Sequence, residues 1–132
     1  MGQIILPDTN IFIIGFSQPT SPAGKLLGQL IENDQLVLST IVIAEYLSKS
    51  TQKEERVFAR LFSYCPLINV DLTVAKLAGN FRKKYLIHRK AIPLADCLIA
   101  AQCKISGATL ATLNPRDFPI PEIKTLNPLL PA

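Results

Sequence analysis

The stretch Gln3-Ile4-Ile5-Leu6-Pro7-Asp8-Thr9-Asn10 decides how the rest of the chain is read. Its apolar part is too short for a helix and does not alternate with polar residues. It therefore reads as a strand covered on both faces, the mark of a parallel sheet flanked by helices. Proline cannot donate to a sheet ladder, so Pro7 is expected to end the strand at its carboxyl end and release Asp8-Thr9-Asn10 into the loop beyond.

Outward from that strand, the signals alternate. Ser21-Pro22 is an N-cap followed by proline at the first helical position, and Leu26, Leu27, Leu30 and Ile31 give the stripe of a helix that stops near Asn33. Residues 35–39 read as a second strand, and Thr40 can cap a helix over 41–50, with another over 54–64. A third strand is expected at 67–70, then a helix begun at Asp71 or Thr73 and reaching about Leu86. Pro93 opens a helix through Lys104 that Ser106-Gly107 closes, and strands follow at 108–112 and, more weakly, at 123–126. Parallel neighbours need crossover connections, so the order implies an α/β fold: one domain over residues 1–132, a parallel sheet of four or five strands with helices on both faces. The Pro-rich tail after Asp117 is expected to cover a sheet edge irregularly.

Composition bounds the function. At 132 residues the chain can build one core, and 48% hydrophobic with 18% charged residues excludes disorder. No apolar run approaches the roughly 18–20 residues that cross a bilayer. No basic leader with a small-residue cleavage site precedes Ile4, and Cys65, Cys97 and Cys103 sit in apolar stretches without metal-ligand spacing. The expectation is a cytoplasmic protein with reduced core thiols and no membrane partner. A net charge of +4 favours a polyanionic partner only weakly.

Four of the ten carboxylates carry the chemistry. Ligands of open α/β sheets bind beyond the carboxyl ends of the strands, and Asp8 and Asp117 both follow a strand onto that rim. Glu45 lies on the second turn of the helix after the second strand, leaning back toward the same rim. Asp96 shares a helix face with Ile99, Ala100 and Cys103, where an unpartnered carboxylate is costly. Each has a bland reading of its own: a turn for Asp8, a solvated helix for Glu45, a dipole partner for Asp96, a loop cap for Asp117. Together they suit a hard cation, Mg²⁺ or Mn²⁺, and phosphodiester cleavage. Arg82, Lys83, Lys84, Arg89 and Lys90, the densest positive run, and Arg116 are candidates for holding an RNA backbone. The lone His88 is read as a surface residue without a catalytic role.

These residues resemble the PIN-domain ribonucleases, in particular the VapC-type toxins of toxin-antitoxin pairs. The likeness is carried by the strand into Asp8-Thr9-Asn10, by Ser39-Thr40 to Glu45, by Leu94-Ala95-Asp96-Cys97-Leu98-Ile99-Ala100-Ala101, and by Ala111-Thr112-Leu113-Asn114-Pro115-Arg116-Asp117-Phe118. It implies an endoribonuclease dependent on Mg²⁺ or Mn²⁺, a homodimer, and inhibition by a cognate antitoxin. Asp8, Glu45 and Asp96 match the family's main metal-site acids, Asp117 its more variable fourth, and Thr9 or Asn10 and Thr112 or Asn114 its bracing polar residues. Two departures are Pro7 before the first acid and Pro115, which bears on where Asp117 points. The alternative is a non-catalytic module of the same fold that binds RNA or protein. A phosphotransfer domain ranks lower, because the phosphatase type needs a second Asp where Asn10 stands and the receiver type needs adjacent acids on its first loop.

Overall fold

A computed structural model describes residues 2–87 and 90–129. The elements are β1 (Ile5–Pro7), α1 (Thr9–Ser17), α2 (Pro22–Glu32), β2 (Leu38–Ser39), α3 (Thr40–Leu47), α4 (Gln52–Ala59), β3 (Leu67–Ile68), α5 (Leu72–Lys84), β4 (Leu86–Ile87), β5 (Lys90–Ala91), α6 (Leu94–Ser106), β6 (Thr109–Ala111) and β7 (Thr125–Leu126). Strands β1, β6 and β7 form a parallel sheet in the order β1-β6-β7, and β2 pairs in parallel with β3. A bridge between Ile5 and Leu36 joins the two groups, with Ile5 N–H donating to the Gln35 carbonyl at 2.8 Å and Val37 N–H to that of Ile5 at 3.0 Å. The segment from Gln35 to Ser39 thus serves β1 with its first half and β3 with its second. This α/β architecture is the one the sequence implies.

Pro7 is the last residue of β1, paired with Ala111, and the strand ends there as the sequence predicts. Ile5 directs its N–H toward Gln35, so by the two-residue alternation the Pro7 nitrogen faces the same flank, beyond the last bond of that ladder. The opposite flank continues through Asp8 N–H to the Ala111 carbonyl at 2.9 Å. A missing donor therefore costs nothing here.

Helix α1 is the element the sequence signals least. Ile11, Phe12, Ile13, Ile14 and Phe16 wrap it in apolar side chains with no polar stripe, the pattern of a helix packed on several sides. It lies against α2, where Gly24 is obligatory: a Cβ there would stand 2.3 Å from the Pro19 carbonyl oxygen. The expected helix over 54–64 stops at Ala59 and tightens into a 3₁₀ turn, Arg60–Ser63. The helix after Asp71 ends at Lys84, so Arg82, Lys83 and Lys84 form its exposed last turn, while Lys90 lies in β5, which pairs antiparallel with β4. Arg89 and His88 lie outside the described residues.

The core is continuous across the layers. Phe12, Phe58, Phe81, Leu6, Ile11, Leu38, Ile99 and Leu110 are fully buried. Phe58 centres an aromatic group, 4.5 Å from Tyr46, 5.1 Å from Phe12 and 5.3 Å from Phe62 between ring centroids. Cys65, Cys97 and Cys103 are buried and unpaired, and burial pushes the Cys103 thiol up to about 12. Among the described residues no helix is long and apolar enough to cross a membrane.

Candidate active site

The carboxyl ends of β1, β2 and β6 meet at one rim, and the N-terminus of α6 comes to it from the opposite direction because that helix runs back before β6. Asp8, Glu45, Asp96 and Asp117 reach this rim from four separate segments and line one cleft of about 140 Å³. Thr9, Asn10 and Lys49 share its walls.

Each carboxylate is placed by local chemistry. Asp8 follows β1 and caps α1, its Oδ1 accepting from Ile11 N–H at 3.3 Å. Burial pushes its carboxyl up, the Thr112 hydroxyl and the N–H groups of Ile11 and Asn10 oppose this, and Asp117 adds repulsion. Glu45 is half-buried on α3, and its Oε1 accepts from the Thr9 hydroxyl at 2.8 Å. Thr9 thereby ties the second acid to the segment that carries the first. Asp96 stands in the first turn of α6. Burial first, then the charges of Glu45, Asp117 and Asp8, push its carboxyl up to about 6.

Asp117 ends the 3₁₀ turn Pro115–Asp117 and is exposed. Thr112 is buried and its Oγ1 accepts from Asn114 N–H at 3.1 Å, bracing the turn that carries Asp117. Asn114 contributes backbone, its carbonyl accepting from Asp117 N–H at 3.1 Å, while its exposed side chain stays outside the cleft lining.

The candidate cations divide. Arg82 Nη1 donates to the Ile92 carbonyl at 3.2 Å and fixes the lead-in to α6. Lys84 pairs with Glu122 at 3.2 Å, beside a Tyr85 hydroxyl that donates to the same carboxylate. Lys83 is exposed at the end of α5. Lys90 and Arg116 instead line a second cavity that shares Asp96 and Asp117 with the acidic cleft.

Sequence reasoning passes over two residues. Lys49 follows Glu45 by one helical turn and is a cation on the wall of the acidic cleft; that spacing was the available signal. Gln102 is fully buried, accepting from the Ser39 hydroxyl and donating through Nε2 to the Ile68 carbonyl at 2.8 Å. Ser39 also accepts from Ile41 and Val42 N–H at 3.1 and 3.3 Å as the cap of α3. One polar knot therefore joins α6, which carries Asp96, to the β2–α3 corner, which carries Glu45. A glutamine in an apolar helix gives no sign of such a partner until the fold is known.

The donor set is all oxygen, the kind a hard divalent cation takes. Burial first, and then repulsion from the neighbouring acids, push the Asp96 carboxyl up, and a bound cation would offset both. Among the described residues no group of three or more acidic, His or Cys side chains stands close enough to hold a metal ion as it is, so a cation would have to draw these acids together.

The PIN domain family model matches residues 5–122, and the chain belongs to that family. It is similar to Ribonuclease VapC19 of Mycobacterium tuberculosis, at 30% identity over 99 residues, 74% of this chain and 79% of the relative. Among solved structures, it is similar to VapBC2 from Rickettsia felis bound to a DNA fragment from their promoter, with TM-score 0.78, 25% identity and coverage of 95% of this chain and 98% of that one. A toxin-antitoxin complex from Klebsiella pneumoniae aligns with TM-score 0.72 and 26% identity over 94% of this chain and 97% of that one.

Proposed function

We propose that this protein is an endoribonuclease, the toxin of a toxin-antitoxin pair, which cleaves RNA in the cytoplasm with Mg²⁺ or Mn²⁺ held by Asp8, Glu45, Asp96 and Asp117. The observation that carries the reading is the convergence of four carboxylates from separate segments on one cleft. The name Ribonuclease on a relative, and the toxin-antitoxin complexes among the structural neighbours, support the substrate class and the partner.

A divalent cation in this cleft would supply an activated water and stabilise the departing oxygen. The chain's own part is positioning. Thr9 holds the Glu45 carboxylate, Asp8 is fixed at the start of α1, and the Ser39–Gln102 knot sets the spacing between α3 and α6. Among the described residues the ion pair of Lys84 with Glu122 is the only one, which leaves Lys49, Lys90 and Arg116 without a carboxylate partner and available to the RNA backbone.

The test is cleavage of a mixed pool of single-stranded and structured RNAs with Mg²⁺ or Mn²⁺, by wild type, by Asp96→Asn and with chelator. Cutting that requires both the metal and Asp96 is expected. Cutting that survives both changes rejects the mechanism. The open spacing of the acids favours one other reading, a non-catalytic module that binds RNA or protein. Calorimetric titration with Mn²⁺ separates the two, since a pure binding module takes up no metal through these carboxylates.

A further inference from the structure

Beside the acidic cleft lies a second cavity of about 430 Å³, and its walls differ in character from the first. Asp96 and Asp117 form the partition between the two. The remaining lining is Ala91, Ile92, Pro93 and Pro119, an apolar surface, with Lys90 and Arg116 as cations. A volume of this size falls in the range of small-molecule sites, whereas the acidic cleft at about 140 Å³ has room for ions and a phosphate but not for a base with its sugar.

We propose that this second cavity is a nucleotide subsite, which takes the base and ribose of the RNA residue next to the scissile phosphate and so sets where the protein cuts. The inference rests on the ribonuclease reading and adds a place for the substrate's base. Single-stranded RNA is recognised through splayed bases laid on flat side chains, including the plane of an arginine guanidinium. Arg116 supplies such a plane, and the proline rings with Ile92 supply an apolar floor. Lys90 meets the negative charge of the flanking phosphate, which the partition acids would otherwise repel. Two contacts hold the wall of the cavity: Arg82 donates to the Ile92 carbonyl, and the β4–β5 pairing holds Lys90 and Ala91.

An RNA duplex keeps its bases stacked and cannot lend one to this pocket, so the subsite also selects unpaired RNA.

The test uses the full chain and three variants. Ala91→Trp fills the cavity from an exposed position, Arg116→Glu reverses the charge at its edge, and Lys25→Ala is a control at an exposed position of α2, away from both cavities. Cleavage products of a randomised single-stranded RNA pool are sequenced. Wild type should show a base preference at one position beside the cut, Ala91→Trp and Arg116→Glu should erase or change it, and Lys25→Ala should retain it. In parallel, each of the four nucleoside 5′-monophosphates is titrated into metal-free protein and followed by NMR. At least one should shift the amides of Ala91 and Ile92, and Ala91→Trp should weaken it roughly tenfold or more.

An unchanged cleavage pattern in both cavity variants overturns the subsite, as does the absence of any monophosphate effect at Ala91 and Ile92. If wild type fails to cut any RNA with either metal, the ribonuclease reading fails. The titration then decides the subsite by itself.

Discussion

Asp96 is where the electrostatics of the molecule concentrate, and its titration is a signature that can be measured. Its carboxyl is pushed up to about 6 from an ordinary value of 3.8, so the folded state binds a proton that the unfolded chain releases. The stability this contributes is complete below the ordinary value and is lost as pH rises through about 6. Metal-free protein should therefore lose stability between about pH 4 and pH 6 on this group's account, and Asp96→Asn should flatten that slope. Urea midpoints across that range, with chelator present, measure it; parallel curves for the two proteins would show that the Asp96 carboxyl is not raised in the folded state. Thr9 acts one step removed. Thr9→Val removes the donor to Glu45 and should weaken Mn²⁺ binding about 10- to 100-fold, with folding preserved. Calorimetry of the two proteins side by side reads the difference, and equal affinities would mean that Glu45 orients itself unaided.

The corner between β2 and α3 shows how elements are fastened around the site. Ser39 caps the helix and also bonds Gln102 on α6, so Ser39→Ala leaves two backbone N–H groups and a buried amide without their partner. A cap alone is worth about 1 kcal/mol and an orphaned buried polar group about 1–3 kcal/mol, which places the loss at roughly 2–4 kcal/mol by chemical denaturation. A loss below about 0.5 kcal/mol would show that water replaces the hydroxyl. Elements whose ends carry their own chemistry were legible in the sequence: Ser21-Pro22 opens α2, Asp71 caps α5, and Gly107 closes α6 with φ of 78°. Elements defined by what packs on them were not. Helix α1 lacks a polar face, so periodicity is silent about it, and Asp8 reads equally as a turn or a cap. The β4–β5 pair consists of two strands of two residues each, too short to leave an alternating pattern in the sequence. For the same reason the four acids could be placed on one rim from strand order, whereas Gln102 became visible only with the helices packed.

At the scale of the whole molecule, the cleft exists only while the fold does. Asp8, Glu45, Asp96 and Asp117 come from the end of β1, from α3, from α6 and from the turn after β6, so an unfolded chain has no local cluster with which to hold a cation. A divalent ion bound at this rim should therefore act as a clamp across the sheet, stabilising the folded state by mass action. At a free ion concentration about 100 times the dissociation constant the gain is about 2.7 kcal/mol, which for a domain of this size raises the melting temperature by roughly 10 °C. The carboxylates must be ionised to bind, so the increase should be larger at pH 8 than at pH 5.5, opposite in sign to the metal-free trend that Asp96 produces. Thermal melts with Mn²⁺ and with chelator at the two pH values test this, and Asp8→Asn should suppress most of the increase because it removes the most buried of the four acids. A melting temperature indifferent to Mn²⁺ at pH 8 would mean that the acids repel one another without holding an ion, and the fold would then serve binding rather than cleavage.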